Sequence, residues 1–198
     1  EIIFPPYNAL QIQDILQQRA QLAFRPGTLE EGLLEKCAAY AAREHGDARR
    51  ALELLRVAGE LAERAGEQKV LISHLDKAEE KIERDRILDI VSTQPKQFQL
   101  TLLSILKASE NKKGIFTGEI YTLYEQYCGQ VGLRPLTQRR ISDVIGELDM
   151  LGIINAKVIS KGRYGRTREI HLSLNDDLVF KVKNIISDDL GITWNSSL

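Results

Sequence analysis

About three-quarters of the way along, this chain changes the period of its apolar residues, and no other feature constrains its fold as strongly. Up to residue 152 the apolar positions recur at helical spacing. Residues 153–160 and 167–174 instead read as strands. In the second run Ile170, Leu172 and Leu174 alternate with Glu169, His171 and Ser173, the period of two expected of a half-buried strand. Between the runs, Lys161-Gly162-Arg163-Tyr164-Gly165-Arg166 is a glycine-punctuated hairpin tip. A final helix follows, capped by Asn175, with Leu178, Val179, Val182, Ile185 and Ile186 inward.

Three helical segments precede the switch. One lies near residues 96–109. A second begins at Thr117 and carries Ile120, Leu123, Tyr124 and Tyr127. After the turn Leu133-Arg134-Pro135-Leu136, Thr137 caps a third, whose inward stripe is Ile141, Val144, Ile145 and Leu148. Three helices followed by a two-stranded hairpin is the order of a winged helix-turn-helix module. Tyr121, Tyr124 and Tyr127, at helical spacing, read as packing residues rather than a base-stacking platform.

The first half predicts a compact antiparallel helical bundle with short connections. Its first helix runs from near Asn8 to about Phe24, with Leu10, Ile15, Leu16 and Leu22 on or near one face, and Arg25-Pro26-Gly27 breaks it. Thr28-Leu29-Glu30-Glu31 reads as a capping box for a second helix burying Leu33, Leu34, Cys37 and Ala41 and ending at Gly46. The third has Asp47 as N-cap and a stripe at Ala51, Leu54, Leu55, Ala58, Leu61 and Ala62, stopping at Gly66. The fourth starts at Ser73 and carries Leu75, Ala78, Ile82 and then Ile87 or Leu88; its charges from Asp76 to Asp89 read as a solvated, pair-supported face. Ser92-Thr93-Gln94-Pro95 marks the boundary, giving a helical domain at 1–94 and a winged-helix domain at 95–198.

Composition removes whole classes. With 198 residues, 43% hydrophobic and 28% charged, the chain is an ordinary globular one rather than a disordered, collagenous or rod-like one. It has no run of about 20 apolar residues and no secretory signal. Cys37 and Cys128 lie far apart in helix-like stretches, which fits a reducing compartment, and His45, His74 and His171 form no metal-ligand cluster.

The net charge of −1 conceals an asymmetry. Residues 1–95 hold 13 basic and 17 acidic side chains, whereas residues 96–198 hold 14 and 11. Lys157, Lys161, Arg163, Arg166 and Arg168 follow one another with no acid between them. In a winged helix the third helix enters the major groove and the wing meets backbone or minor groove. Thr137, Gln138, Arg139, Arg140 and Ser142 then form the reading edge, where Arg and Gln can make paired contacts to guanine and adenine. Lys161, Arg163 and Arg166 can neutralise phosphates, Gly162 and Gly165 let the tip's backbone approach closely, and Tyr164 can pack on a sugar or wedge at the groove floor. The alternative is a solvated hairpin whose charges keep an edge from aggregating.

Gly46-Asp47-Ala48-Arg49-Arg50 places two arginines in a helix's first turn, where the macrodipole disfavours them. Either they flank an anion held by free backbone N–H groups, or they are solvated or paired with Asp47 or Glu53. Ile3-Phe4-Pro5-Pro6-Tyr7, Asp14-Ile15-Leu16 and the stretch from Gly46 to Leu55 together resemble the lid region of archaeal replication initiators. These belong to the AAA+ family of the origin recognition complex and cell division control proteins. The resemblance implies that Gly-Asp-x-Arg opens the sensor-II helix, with Arg49 reaching the nucleotide phosphates, or Arg50 in its stead. It also implies that Tyr7 lines the adenine pocket where core joins lid, and that a winged helix follows.

No phosphate-cradling Gly-x-x-x-x-Gly-Lys-Ser/Thr loop and no apolar strand ending in Asp-Glu is present, so residues 1–7 read as the last strand of an absent ATPase core. The resemblance therefore implies no hydrolysis and no cofactor for this piece alone, and ATP or ADP with magnesium for the full-length protein. It further implies double-stranded origin DNA, the replicative helicase and other initiator copies as partners, no membrane, and a place in the cytoplasm at the archaeal nucleoid. A winged-helix module that docks proteins, with DNA contact incidental, is the alternative reading.

Overall fold

A computed structural model describes residue 3 and residues 5–110, 114–160 and 166–192, with the backbone alone at Arg166. Among the described residues there are eight helices and three strands. Packing divides the chain into two compact units, Glu1–Asp85 and Arg86–Leu198. The division falls inside one helix, α4 (Ile72–Thr93), which stops where the breaking signal Ser92-Thr93-Gln94-Pro95 stands.

The first unit contains α1 (Ala9–Ala23), α2 (Leu33–Glu44), α3 (Ala48–Arg64) and the start of α4. Asn8 opens α1 with a reciprocal cap, accepting from the Gln11 N–H while Gln11 accepts from its own. The buried ridge of α1 is Ile12, Leu16 and Ala20, spaced by four. Leu10 and Leu22 do not share it: they are 73% and 82% exposed. The α1 sequence carries apolar residues on more than one face, and its neighbours select the face at 12, 16 and 20. These pack with Leu33, Cys37, Ala51, Leu54, Leu55, Ala58, Leu75 and Ala78.

Thr28 is not the cap of α2. Its hydroxyl donates to the Arg25 carbonyl at 2.8 Å, and its own carbonyl accepts from the Val70 N–H at 2.8 Å. The helix starts five residues later, after Gly32 at φ 82°. A pairing with distant Val70 thus outcompetes the local capping box. The charged face of α4 is pair-supported as expected, but its pairs at Asp76 and Glu79 come from α2. Lys36 and Tyr40 of α2 both bind the Asp76 carboxylate, at 2.6 Å each, and Arg43 binds Glu79 at 2.8 Å. The hydrogen bond from the Lys36 ammonium, joined by that from the Tyr40 hydroxyl, holds the Asp76 carboxyl below the usual carboxylate range.

In the second unit, α5 (Lys96–Ser109) is buried on nearly every side through Phe98, Leu100, Leu102, Leu103, Ile105 and Leu106, as a central core helix must be. Around it lie α6 (Thr117–Gln130), α7 (Gln138–Met150) and α8 (Asp176–Leu190). The hairpin is β2 (Ile154–Ser160) and β3 (Arg166–Leu172), antiparallel, with Ile154 opposite Leu172 and Ser160 opposite Arg166. A further strand, β1 (Ile115–Phe116), pairs with the outer edge of β3 through Ile115 and Ile170, for an order β1-β3-β2. Two residues are too few to show a period, so β1 left no alternation in the sequence. The fold is mainly helical, a helical lid-like unit followed by a winged helix-turn-helix unit with its hairpin wing.

Tyr124 is fully buried and Tyr127 nearly so, which makes them packing residues. No helix among the described residues is long and apolar enough to cross a membrane, and no cluster of His, Cys, Asp and Glu among them could hold a metal ion.

Candidate nucleic-acid interface

The N-terminal turn of α7 faces water. Thr137 caps it, its hydroxyl oxygen accepting from the Arg140 N–H at 3.4 Å, while Ile141, Ile145 and Leu148 are buried. That stripe turns Gln138, Arg139 and Arg140 outward, and all three are exposed. No acid sits in this first turn, so its free N–H groups and two guanidiniums make a positive end. Arg140 meets Asp143 at 3.5 Å, an exposed pair that holds it only weakly. Ser142 is half-buried on the adjoining turn.

What stands before α7 is pinned from inside the unit. The Tyr124 hydroxyl accepts from the Leu136 N–H at 2.9 Å and donates to the Gln97 side-chain oxygen, whose amide in turn donates to the Arg134 carbonyl at 3.1 Å. Tyr121 donates to the Leu136 carbonyl at 3.0 Å. Burial pushes the Tyr124 hydroxyl up to about 12, so it remains a donor across the physiological range. Beyond packing, Tyr121 and Tyr124 hold the entry to α7 by their hydroxyls.

The hairpin lies along the same helix. At one end the Asp149 carboxylate accepts from the Ala156 N–H at 2.8 Å. Nearer the helix start, Arg168 of β3 donates to the Ser142 carbonyl at 2.9 Å. Lys157 is exposed on β2, opposite Glu169. The tip residues Lys161, Gly162, Arg163, Tyr164 and Gly165 lie outside the described residues, and of Arg166 only the backbone, paired with Ser160, is described. Arg168 is the last member of the basic run, and its spacing there does not distinguish it from the others. Its signal was Gly146, a glycine inside an amphipathic helix.

A second constellation lies at the start of α3. The Tyr7 N–H donates to the Gly46 carbonyl at 3.1 Å, so the Tyr7 backbone is held beside the turn that leads into α3. Gly46 sits at φ 69°, and a Cβ there would collide with the Tyr7 carbonyl oxygen and lie 2.9 Å from Pro6 Cβ. Asp47 caps α3 by accepting from the Arg49 N–H at 2.8 Å. The two arginines then part. Arg50 is 14% exposed and bound to Glu44 at 2.9 Å and Glu53 at 3.8 Å. Arg49 is exposed, and no ion pair to it occurs among the described residues. Residue 3 and residues 5–7 belong to no strand; Glu1, Ile2 and Phe4 lie outside the described residues.

Both units match known domains in this order. Residues 13–80 match the family model of the Cdc6 AAA+ ATPase-type lid domain, and residues 89–182 that of the CDC6 C-terminal winged helix domain. The chain belongs to the Cdc6/ORC1 family. An ORC1-type DNA replication protein from Pyrococcus furiosus is 54% identical over 193 residues, covering 97% of this chain and 45% of the relative. An ORC1-type DNA replication protein 1 from Archaeoglobus fulgidus is 56% identical over 181 residues, covering 91% of this chain and 44% of the relative. The chain thus spans a little under half the length of the curated relatives it matches. A solved structure of the Aeropyrum pernix ORC1 protein in complex with DNA superposes with a TM-score of 0.82 at 49% identity, covering 96% of this chain and 49% of that one. The lid match takes in Arg49, with Tyr7 lying before it, and the winged-helix match takes in α7 and the hairpin.

Proposed function

We propose that this chain binds double-stranded origin DNA through its winged helix, marking replication origins and helping to recruit the replicative helicase alongside other initiator copies, in the cytoplasm at the nucleoid. The observation that carries this reading is the outward, acid-free N-terminal turn of α7 beside a hairpin tethered to the same helix. The likeness to an ORC1 protein solved in complex with DNA supports it. Gln138, Arg139 and Arg140 read base edges, with Thr137 and Ser142 beside them; Lys161, Arg163 and Arg166 neutralise phosphates, Gly162 and Gly165 admit the backbone, and Tyr164 packs at the groove.

Replacing Arg163 and Arg166 together by alanine removes two phosphate contacts. Affinity for every duplex should fall by about 1.5–2 log units at ~0.1 M salt, with the salt slope shallower by about 1.8. Arg139→Ala should instead cost about 1–3 kcal/mol on the preferred sequence and little on others. Gel shifts across a salt series measure both. Equal affinity of wild type and the double variant at low salt would sink the reading, and absence of any duplex binding would favour the protein-docking module.

In the full-length protein the lid senses nucleotide. Arg49 is the arm offered to the phosphates of ATP or ADP held with magnesium by the core, and Tyr7 lies at the adenine side; Arg50 is occupied by Glu44 and Glu53. The residues fit such a group: an exposed guanidinium at a capped helix N-terminus is suited to phosphate. In a full-length protein, Arg49→Ala should weaken the dependence of DNA binding on ATP. Hydrolysis and switching like wild type would remove Arg49 from that role.

A further inference from the structure

We propose that Arg168 is a positioning residue: it sets the register between α7 and the β2–β3 hairpin, so that helix and wing meet one duplex together. The DNA clause rests on the reading above; the internal coupling does not. Arg168 sits on β3 opposite Val158, and its Nη1 donates to the Ser142 carbonyl at 2.9 Å in a partly buried setting. A helix-interior carbonyl is already used by the helix ladder, so this second donor ties the strand to the middle of α7 rather than to a fraying end. Gly146 lies directly against this guanidinium. A Cβ there would lie 3.3 Å from Nη1 and 3.8 Å from Nη2 of Arg168. Glycine inside a helix is disfavoured relative to alanine, and here it leaves the space that the guanidinium fills. A planar fork reaching sideways onto a carbonyl is geometry that lysine does not reproduce.

The test uses this 198-residue chain with Gly146→Val, Arg168→Met and Arg168→Lys. Alanine at 146 could be met by a small shift of the guanidinium; the branched valine evicts it without removing any charge. Two readouts are taken well below the thermal transition. Residual dipolar couplings on the free protein report the orientation of α7 against β2 and β3. Fluorescence anisotropy across a salt series reports binding to a duplex selected from a random pool by the wild-type chain, and to a scrambled duplex of equal length. Gly146→Val and Arg168→Met should both reorient α7 and lose roughly tenfold affinity for the selected duplex, with the salt slope unchanged, and Arg168→Lys should not restore either. Couplings that match wild type in Gly146→Val would overturn the proposal whatever the DNA does. So would full rescue by Arg168→Lys with a slope reduced by about 1 in Arg168→Met, which is the signature of a direct phosphate contact. If wild type binds neither duplex while the couplings shift as expected, the DNA reading fails and the coupling stands. Should Arg168→Met not fold, Gly146→Val alone decides.

Discussion

Gly46→Ala is expected to release Tyr7 from the turn before α3 and to lower the stability of the first unit by about 2–3 kcal/mol. Two costs coincide at this position. The backbone is left-handed at φ 69°, which a side chain disfavours, and the added Cβ points into the Tyr7 carbonyl and Pro6. The collision can be relieved only by moving backbone, because its first partner is a carbonyl rather than the far end of a flexible side chain. The easiest relief breaks the 3.1 Å bond from the Tyr7 N–H to the Gly46 carbonyl. Hydrogen exchange at the Tyr7 amide and urea denaturation report the two effects. Wild-type protection at Tyr7 together with an unchanged midpoint would show that the bond between Tyr7 and Gly46 does not depend on glycine. Tyr7 and Arg49 share this junction, so in a full-length protein the same variant should also blunt the nucleotide response that the lid is proposed to give.

Tyr124→Phe is expected to destabilise the second unit by about 1–3 kcal/mol, because one hydroxyl serves two partly buried groups. Its removal leaves the Leu136 N–H and the Gln97 side-chain oxygen without the partner each now has. Tyr124 itself is fully buried, while Leu136 and Gln97 are half-buried, so solvent offsets part of the loss. Calorimetry should show the corresponding transition lowered by roughly 10 °C. Exchange at Leu136 should rise with it, since the entry to α7 loses its anchor. A melting point within a degree or two of wild type, with Leu136 still protected, would mean that the loop before α7 holds itself. Tyr121→Phe provides the contrast: its hydroxyl donates to a carbonyl in a half-buried setting and holds no backbone N–H, and its loss should be felt less.

Local signals carried much of the winged helix. The α7 stripe at Ile141, Ile145 and Leu148, the Thr137 and Asn175 caps and the β2–β3 hairpin all depend on residues within a few positions of one another, and all appear in the structure, although β3 ends at Leu172 and only Ile170 of its expected inward residues is buried. So does the Asp47 cap of α3. The readings that failed are those where two local answers compete. The α1 helix has apolar residues on more than one face, and only the packing of α2 and α3 selects Ile12, Leu16 and Ala20 over Leu10 and Leu22. Thr28 has a capping-box spacing, yet Val70, far along the chain, takes its backbone instead.

The candidate sites divide along the same line. Residue types and spacing were enough to nominate the α7 turn, the basic hairpin and the Arg49-Arg50 pair, because charge and helical period are properties of neighbouring residues. Which arginine of that pair is left open, which tyrosines hold the entry to α7, and that Arg168 reaches a carbonyl 26 residues earlier in the chain were decided by the tertiary structure. A hydrogen bond between distant residues leaves no period behind it: its partners are chosen by the packing of whole helices and strands, and only the folded chain brings them within 3 Å.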